Sequence, residues 1–437
     1  MEVYERLGVK RRINGCGTLT RMGGSLMPEE VLVAMREAAG SHVDIAELQA
    51  AASKIIAKHT GAEAGVVSSG AAACLTLGTA ACLTGFDVAK MERLPQTEGM
   101  PNEMIICRHH RTGYDHAFRA AGVRLVEIGF NDRVSGAGVR GVEDWEIEAA
   151  ITERTVAVAY LANSQDQPPL ESVTRVAHKH GLPVIVDAAA QLPPASNLKK
   201  FINQGADLVA YSGGKALRGP QGTGILCGRK DLIAAAILQQ LDMDVAPETW
   251  TPPADLIPRE KLNGIPHHGL GRGFKVSKED IAGVVTALER FVALDPATEE
   301  ARHMKTLDTL QTGMQGVAHL GTRVLSAKET GRYPLLELAL QEGSRISSAY
   351  ELSEKLQLND PPIHLSERYA AQGILSIDPS GLRDGDAAAV VLHHDGVARD
   401  DDVDGWPLGF AVPVWIIEAC DLHPGHVPEP AHLRPKL

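Results

Sequence analysis

Lys215 stands in the run Tyr211-Ser212-Gly213-Gly214-Lys215-Ala216-Leu217-Arg218-Gly219-Pro220-Gln221-Gly222-Thr223-Gly224, between two glycine clusters and directly after the apolar stretch Asp207-Leu208-Val209-Ala210. A flexible, strongly hydrated ammonium gains nothing from a loop whose backbone passes close to another group, unless its nitrogen reacts there. Such a lysine forms a Schiff base with a carbonyl cofactor, and its amine, once released, is a general base at the substrate Cα. Lys215 lies 28 residues after Asp187, the last residue of Pro183-Val184-Ile185-Val186-Asp187. That short apolar run ending in an acid is the pattern of a buried parallel strand delivering a carboxylate at its carboxyl end. Further upstream, Gly65-Val66-Val67-Ser68-Ser69-Gly70-Ala71-Ala72-Ala73 reads as a strand that turns through Ser-Ser-Gly into an alanine-rich helix. The free N–H groups and positive dipole end of such a helix favour an anion.

An anion cradle, an acid and an amine are what pyridoxal phosphate requires, because an acid beside its ring nitrogen holds the proton that makes the ring an electron sink. Lys215 and Asp187 then carry the chemistry. Ser69, Gly70 and Ala71 hold the phosphate, and Ser212, three residues before the lysine, adds a hydroxyl. Asn163 and Gln165 follow the apolar run ending at Leu161 and are placed to reach the cofactor's 3-hydroxyl; Gln191 is a second contact or a helix residue. His109, His110, Asp115 and His116 crowd one short stretch, but nothing near them supplies further ligands, so no metal is expected. The six cysteines contain no CxxC pair, which excludes a zinc site or a disulfide framework of the usual spacing.

The elements that must position these residues alternate. Helical patterns cover 28–39, with Pro28 near the first turn, and the stretch from Asp44, a capping side chain, to Gly61. Strand and helix patterns then follow at 64–68, 71–83, 104–107, 114–121, 124–128, 143–151, 156–161, 171–180, 184–187, 208–211, 224–227 and 231–241. Short connections between them imply a mainly parallel sheet wrapped by helices. Residues 242–273 change character, with five prolines and the patch His267-His268-Gly269-Leu270-Gly271-Arg272-Gly273. Helices at 278–294 and 298–317 and strands at 323–326, 335–340 and 374–377 make a smaller α+β lobe ending in a Pro/His-rich tail from His423. The expected division is an N-terminal arm and first helix (1–45), a large cofactor domain (46–295) and a small C-terminal domain (296–437).

With 437 residues, 44% of them hydrophobic and 22% charged, the chain is long enough for an ample core in two to three lobes. The 43 basic and 55 acidic residues leave a net charge of −12, which disfavours nucleic acid and anionic membrane. The N-terminus lacks a signal-like start and no run is long enough to cross a bilayer, so a cytoplasmic enzyme is expected.

Six segments together resemble the pyridoxal-phosphate enzymes grouped with bacterial selenocysteine synthase, and within that group the D-glucosaminate-6-phosphate ammonia-lyase branch. They are Asn14–Thr20, Val43–Leu48, Thr60–Ala64, Ser68–Ala73, Val186–Ala190 and Ser212–Lys215, and the likeness extends over residues 10–290. The resemblance implies fold-type I, the aspartate aminotransferase-like plan, with a seven-stranded large-domain sheet, a small α+β domain and a homodimer or higher homo-oligomer with active sites at the interface. It implies a lyase that removes the Cα proton of a small hydroxy amino acid, such as a sugar amino acid or its phosphate, and expels the β-hydroxyl. Racemisation, aldol cleavage, selenium or sulfur transfer, and a cofactor-binding pseudoenzyme stay open. Since family-like sequence begins by residue 10, the extra segment expected for a tRNA substrate has no place here. His110 matches the family's flat side chain over the pyridine ring, with His109 and Tyr114 as substitutes. Arg272 and Lys275 match its Gly-Arg-x-x-Lys-Val stretch and are expected to bind an acidic group, as is Arg21; His267 and His268 are candidate acids on a lid.

Overall fold

Most strands form where a short aliphatic and β-branched run is bounded by turn residues, and their directions decide where the chemistry collects. The computed structural model describes residues 3–130, 142–163 and 167–390; Gln165, Cys420 and the tail from His423 lie outside them. In chain order the strands are β1 (Ile13–Gly15), β2 (Ala64–Ser68), β3 (Glu103–Cys107), β4 (Arg124–Ile128), β5 (Thr155–Leu161), β6 (Val184–Asp187), β7 (Leu208–Ser212), β8 (Gly224–Gly228), β9 (Leu320–Leu325), β10 (Leu335–Leu340), β11 (Ile363–Tyr369) and β12 (Ile374–Ile377).

One compact unit spans Thr18–Thr298. Its sheet has seven strands in the order β2-β8-β7-β6-β5-β3-β4. The five from β7 to β4 are parallel, while β8 runs antiparallel to both β2 and β7. β2 therefore points the same way as the parallel five, and six strands deliver their carboxyl ends to one edge. In open α/β sheets that edge is where ligands bind.

The core lies between this sheet and two helices that are apolar on every side. Val66, Met104, Ala157, Ile185, Leu208, Ala210 and Leu226 are sealed from solvent against Cys74, Leu77 and Ala80 of the Ala71–Thr84 helix and Ile233, Ala236 and Ile237 of the Lys230–Gln240 helix. A helix without a polar face is one covered all round, and each fully buried Val, Leu, Ile or Met side chain contributes about 1.5–3 kcal/mol. The Ile45–Thr60 helix starts where expected, with the Glu47 N–H donating to the Asp44 carboxylate at 2.9 Å, and is closed by Gly61 at φ 73°.

The second unit combines Met1–Gly17 with the described part of Glu299–Leu437. Its five-stranded sheet runs β1-β11-β12-β10-β9, antiparallel except where β1 joins β11. Leu307, Leu310, Leu352 and Leu356 pack with Leu336, Leu338, Leu365 and Leu375 in its core. The α+β character agrees with expectation. The boundary differs on the N-terminal side: residues 18–45 fold with the large unit and 1–17 with the small one, because Ile13, Asn14 and Gly15 pair with Ile363, His364 and Leu365. Among the described residues no helix is long and apolar enough to cross a membrane.

Candidate active site

Strand direction brings Lys215, Asp187, His110 and the Ser69-Gly70-Ala71 turn to the same sheet edge. They come from the carboxyl ends of β7, β6, β3 and β2. Lys215 is half-buried in a turn closed by the Gly219 N–H donating to the Gly213 carbonyl at 2.9 Å and the Gly213 N–H donating to the Thr223 carbonyl at 2.8 Å. The glycines around it answer to protein neighbours. A Cβ on Gly213 would lie 2.1 Å from Thr223 Oγ1, one on Gly214 2.4 Å from Gln221 Cα, and one on Gly224 2.4 Å from the Gly70 carbonyl carbon. The last contact sets the lysine loop directly against the anion turn.

Sequence reasoning missed what clamps this turn from the other side. The Ser25 N–H donates to the Gly214 carbonyl at 3.0 Å, the Ser25 hydroxyl donates to the Lys215 carbonyl at 2.7 Å, and Arg218 Nε donates to the Leu26 carbonyl at 2.9 Å. Arg218 itself sits at φ 60°, a conformation that non-glycine residues seldom hold without such support. The Gly23-Gly24 pair signals a tight turn, but nothing in it names a partner 190 residues away.

Asp187 ends β6 with its Oδ1 accepting the Ala189 N–H at 3.0 Å. Burial pushes its carboxyl above the ordinary range, opposed by that N–H and by the nearby Lys215 ammonium. A buried carboxylate held at such a disadvantage is suited to a cationic partner, and a protonated ring nitrogen is one. Beside it lies a small recess lined by Asp187, Leu161, Tyr160, His110, Thr112, Tyr114 and Asp115 among others.

His110 is 2% exposed and fixed at both nitrogens. Nδ1 accepts the Leu161 N–H at 3.4 Å, so Nε2 carries the hydrogen that meets the Gln167 carbonyl at 2.9 Å. Burial and neighbouring His109 push its pKa down to about 4, so the ring is neutral at physiological pH. It packs edge-to-face with Tyr160 at 4.7 Å and His109 at 4.4 Å. His109 reaches the same Gln167 carbonyl at 2.6 Å, and Tyr114 is 68% exposed.

At the anion turn, Gly70 caps the 14-residue Ala71–Thr84 helix at φ 96° with no side chain bonded to the first-turn N–H groups, and Ser69 is exposed. Ser212 is half-buried at the end of β7. Asn163 donates to the Leu161 carbonyl at 3.2 Å. Gln191 is not helical: its side chain donates to the Ala162 carbonyl at 2.7 Å, bracing the end of β5 against the turn after β6.

The three expected anion-binding cations part company. Arg272 is ion-paired to Asp242 and so already has its anion. Lys275 is exposed, with no hydrogen bond or ion pair among the described residues. It follows Phe274, whose carbonyl accepts from Ser68 Oγ at 3.4 Å and Gln240 Nε2 at 2.8 Å, which sets Lys275 beside the anion turn. Arg21 is exposed and likewise without a partner among the described residues. His267 pairs with Glu92 at 3.0 Å and His268 with Asp244 at 3.2 Å. Asp242, Asp244 and His268 are close enough to share a cation, but His268 Nδ1 accepts the Met243 N–H and Asp242 holds Arg272.

The chain is similar in sequence and in fold to several known proteins. Residues 118–243 match the aminotransferase class-V family. The chain is 28% identical over 400 residues to D-glucosaminate-6-phosphate ammonia lyase of Salmonella typhimurium, covering 89% of this chain and 96% of that protein. It is 29% identical over 395 residues to 5'-C-glycyluridine monooxygenase-decarboxylase of a Streptomyces species, covering 89% and 90%. To L-seryl-tRNA(Sec) selenium transferase of Desulfovibrio desulfuricans it is 27% identical, over 53% of this chain and 51% of that one. The solved structure of D-glucosaminate-6-phosphate ammonia-lyase superposes with a TM-score of 0.73 at 27% identity, covering 90% of this chain and 96% of that chain. The fold is that of the fold-type I pyridoxal-phosphate enzymes, as the motifs imply.

Proposed function

We propose that this fold-type I chain is a pyridoxal-phosphate-dependent lyase that removes water and then ammonia from a small hydroxy amino acid, in the manner of an ammonia-lyase. The observation that carries the reading is the convergence of Lys215, the burial-disfavoured carboxylate of Asp187 and the uncapped helix start at Gly70 on one sheet edge. When bound, the cofactor supplies an electron sink for negative charge at the substrate Cα. Asp187 would hold the proton on the ring nitrogen, His110 would form a neutral wall beside the ring, and Ser69, Gly70, Ala71 and Ser212 would take the phosphate, with Lys275 supplying charge. Asn163 and Gln191 would shape the wall at the ends of β5 and β6.

Lys215 would hold the cofactor and, once its amine is released, would take the Cα proton. The Cα–H electrons form the Cα–Cβ double bond as the β-hydroxyl leaves with a proton as water. The released enamine is hydrolysed to a 2-oxo acid and ammonia. The similarity to an ammonia lyase acting on D-glucosaminate 6-phosphate supports a sugar amino acid or its phosphate as substrate, and fold-type I supports a dimer. The equal similarity to a monooxygenase-decarboxylase favours a second reading, loss of the carboxylate with consumption of oxygen.

Purified protein loaded with cofactor should be yellow, and borohydride should fix the cofactor on Lys215. A labelled peptide centred on another lysine sinks the reading. Hydroxy amino acids and their phosphates screened with and without oxygen separate the two reactions: ammonia and 2-oxo acid without oxygen support the lyase, oxygen-dependent carbon dioxide the alternative.

A further inference from the structure

The segment Leu19–Leu26 is a strap laid across the lysine loop. Gly24, at φ 73°, is so close to it that a Cβ would lie 2.6 Å from the Gly214 carbonyl oxygen, and Ser25 and Leu26 hold Gly214, Lys215 and Arg218 by the three hydrogen bonds described above. Upstream of this anchor the strap closes into one tight turn. Met22 and Gly24 N–H both donate to the Leu19 carbonyl, Gly23 N–H donates to the Thr20 carbonyl, and Gly23 adopts φ 88°. Arg21 rides on that turn, four residues from Ser25. Four extended residues span no more than about 14 Å, and the turn shortens this.

We infer that Arg21 reads the acidic group of the substrate at the lysine loop, which rests on the reading of Lys215 as the cofactor anchor. A carboxylate calls for a planar two-pronged donor. Of the nearby arginines, Arg272 is committed to Asp242, Arg111 to Asp115 and Glu127, and Arg218 to the strap carbonyl. Arg21 is exposed and makes no such bond. Lys275 stands beside the anion turn and Arg21 on the strap over the lysine loop, so the two cations divide between two anions: the cofactor phosphate near Lys275 and the substrate's acid near Arg21. The strap joins acid recognition to the peptide that carries the reacting amine.

The test uses cofactor-loaded protein and two reagents that react with a lysine-bound carbonyl cofactor: aminooxyacetate, which carries a carboxylate, and O-methylhydroxylamine, which does not. Loss of the visible band gives the rate of each. Wild type should prefer aminooxyacetate. In Arg21→Ala that preference should fall about ten- to a hundredfold, the worth of a charge-assisted contact of about 1.5–3 kcal/mol, while the O-methylhydroxylamine rate stays within about twofold. Arg21→Lys should recover part of it, and Arg21→Gln, closer in shape, should behave as the alanine variant does. A preference retained in Arg21→Ala, absent from wild type, or lost instead in Arg272→Ala or Lys275→Ala overturns the inference. So does equal slowing of both reagents, which would make Arg21 only part of the clamp. Failure of wild type to take up cofactor on Lys215 is a separate outcome that breaks the functional reading and this inference with it.

Discussion

Two glycine-rich loops of the large unit carry Lys215 and Arg272, and they differ in what the glycines serve. Around Lys215, Gly213, Gly214 and Gly224 press on Thr223, Gln221 and Gly70, and Ser25 clamps the peptide from outside. Around Arg272, Gly269 presses on Gln239 of the Lys230–Gln240 helix, Gly271 presses on Leu77 of the Ala71–Thr84 helix, Gly273 meets nothing, and the arginine turns to Asp242. In the first loop close packing leaves the ammonium half-buried beside a buried carboxylate. In the second it docks the segment onto the Ala71–Thr84 and Lys230–Gln240 helices. Glycine spacing therefore marks where backbones approach closely and does not say whether a ligand is the reason.

The largest effect should separate the two cations. Lys215→Ala removes the general base and should lower turnover by about 10²–10⁴-fold, measured as ammonia release at saturating substrate. Activity within tenfold of wild type would place the chemistry elsewhere. Next in size comes the packing contrast. Gly214→Ala forces a methyl onto the Gln221 backbone, so unfolding in urea should show a loss of about 1–3 kcal/mol. Gly273→Ala enters open space and should stay within about 0.5 kcal/mol. Equal effects would mean that the glycines of the two loops are equivalent after all.

Asp187 extends the comparison to the floor of the lysine loop. Burial makes the folded protein hold the Asp187 proton more tightly than the unfolded chain, where a carboxyl titrates near about 3.9. Folded stability then declines as pH rises from that value, until the carboxyl is ionised in both states. Asp187→Asn removes the decline. Cofactor-free Asp187→Asn should melt above wild type at pH 7 and lose that advantage near pH 4, although its turnover collapses. A lower Tm at pH 7 would show that the carboxylate is a structural acid, stabilised by groups around it.

Much of this arrangement is legible in the chain. β2, β6 and β7 are short aliphatic runs ending at Ser68, Asp187 and Ser212, and run length with punctuation suffices to place those residues at strand ends. β1 and β11 are not legible. Three residues give β1 no period, and Ile363–Tyr369 passes from apolar to charged along its length because only its first half is buried. Their pairing, which moves residues 1–17 to the small unit, joins positions 350 apart. The same distance problem hides Ser25 on Lys215 and Asp242 on Arg272, since local pattern carries no information about which distant side chain completes a contact.

The smallest effect is expected at Arg272, where sequence alone points to a large one. The patch looks free to meet an anion, yet its guanidinium is 33% exposed and already bonded to a carboxylate that is 50% exposed. To bind a ligand it would have to exchange one solvated ion pair for another, and exposed pairs are worth only about 0–1 kcal/mol. Arg272→Ala should therefore leave KM and the cofactor dissociation constant within about twofold, and Arg272→Lys should match it because no two-pronged contact is lost. Asp242→Asn supplies the complementary measurement. If Arg272 is held away from the site by Asp242, freeing it should lower KM for an acidic substrate, and Arg272→Ala in that background should reverse the gain. If Asp242→Asn leaves KM unmoved while Arg272→Ala raises it tenfold or more, the arginine leaves its partner when substrate arrives, and the two glycine loops both serve the site.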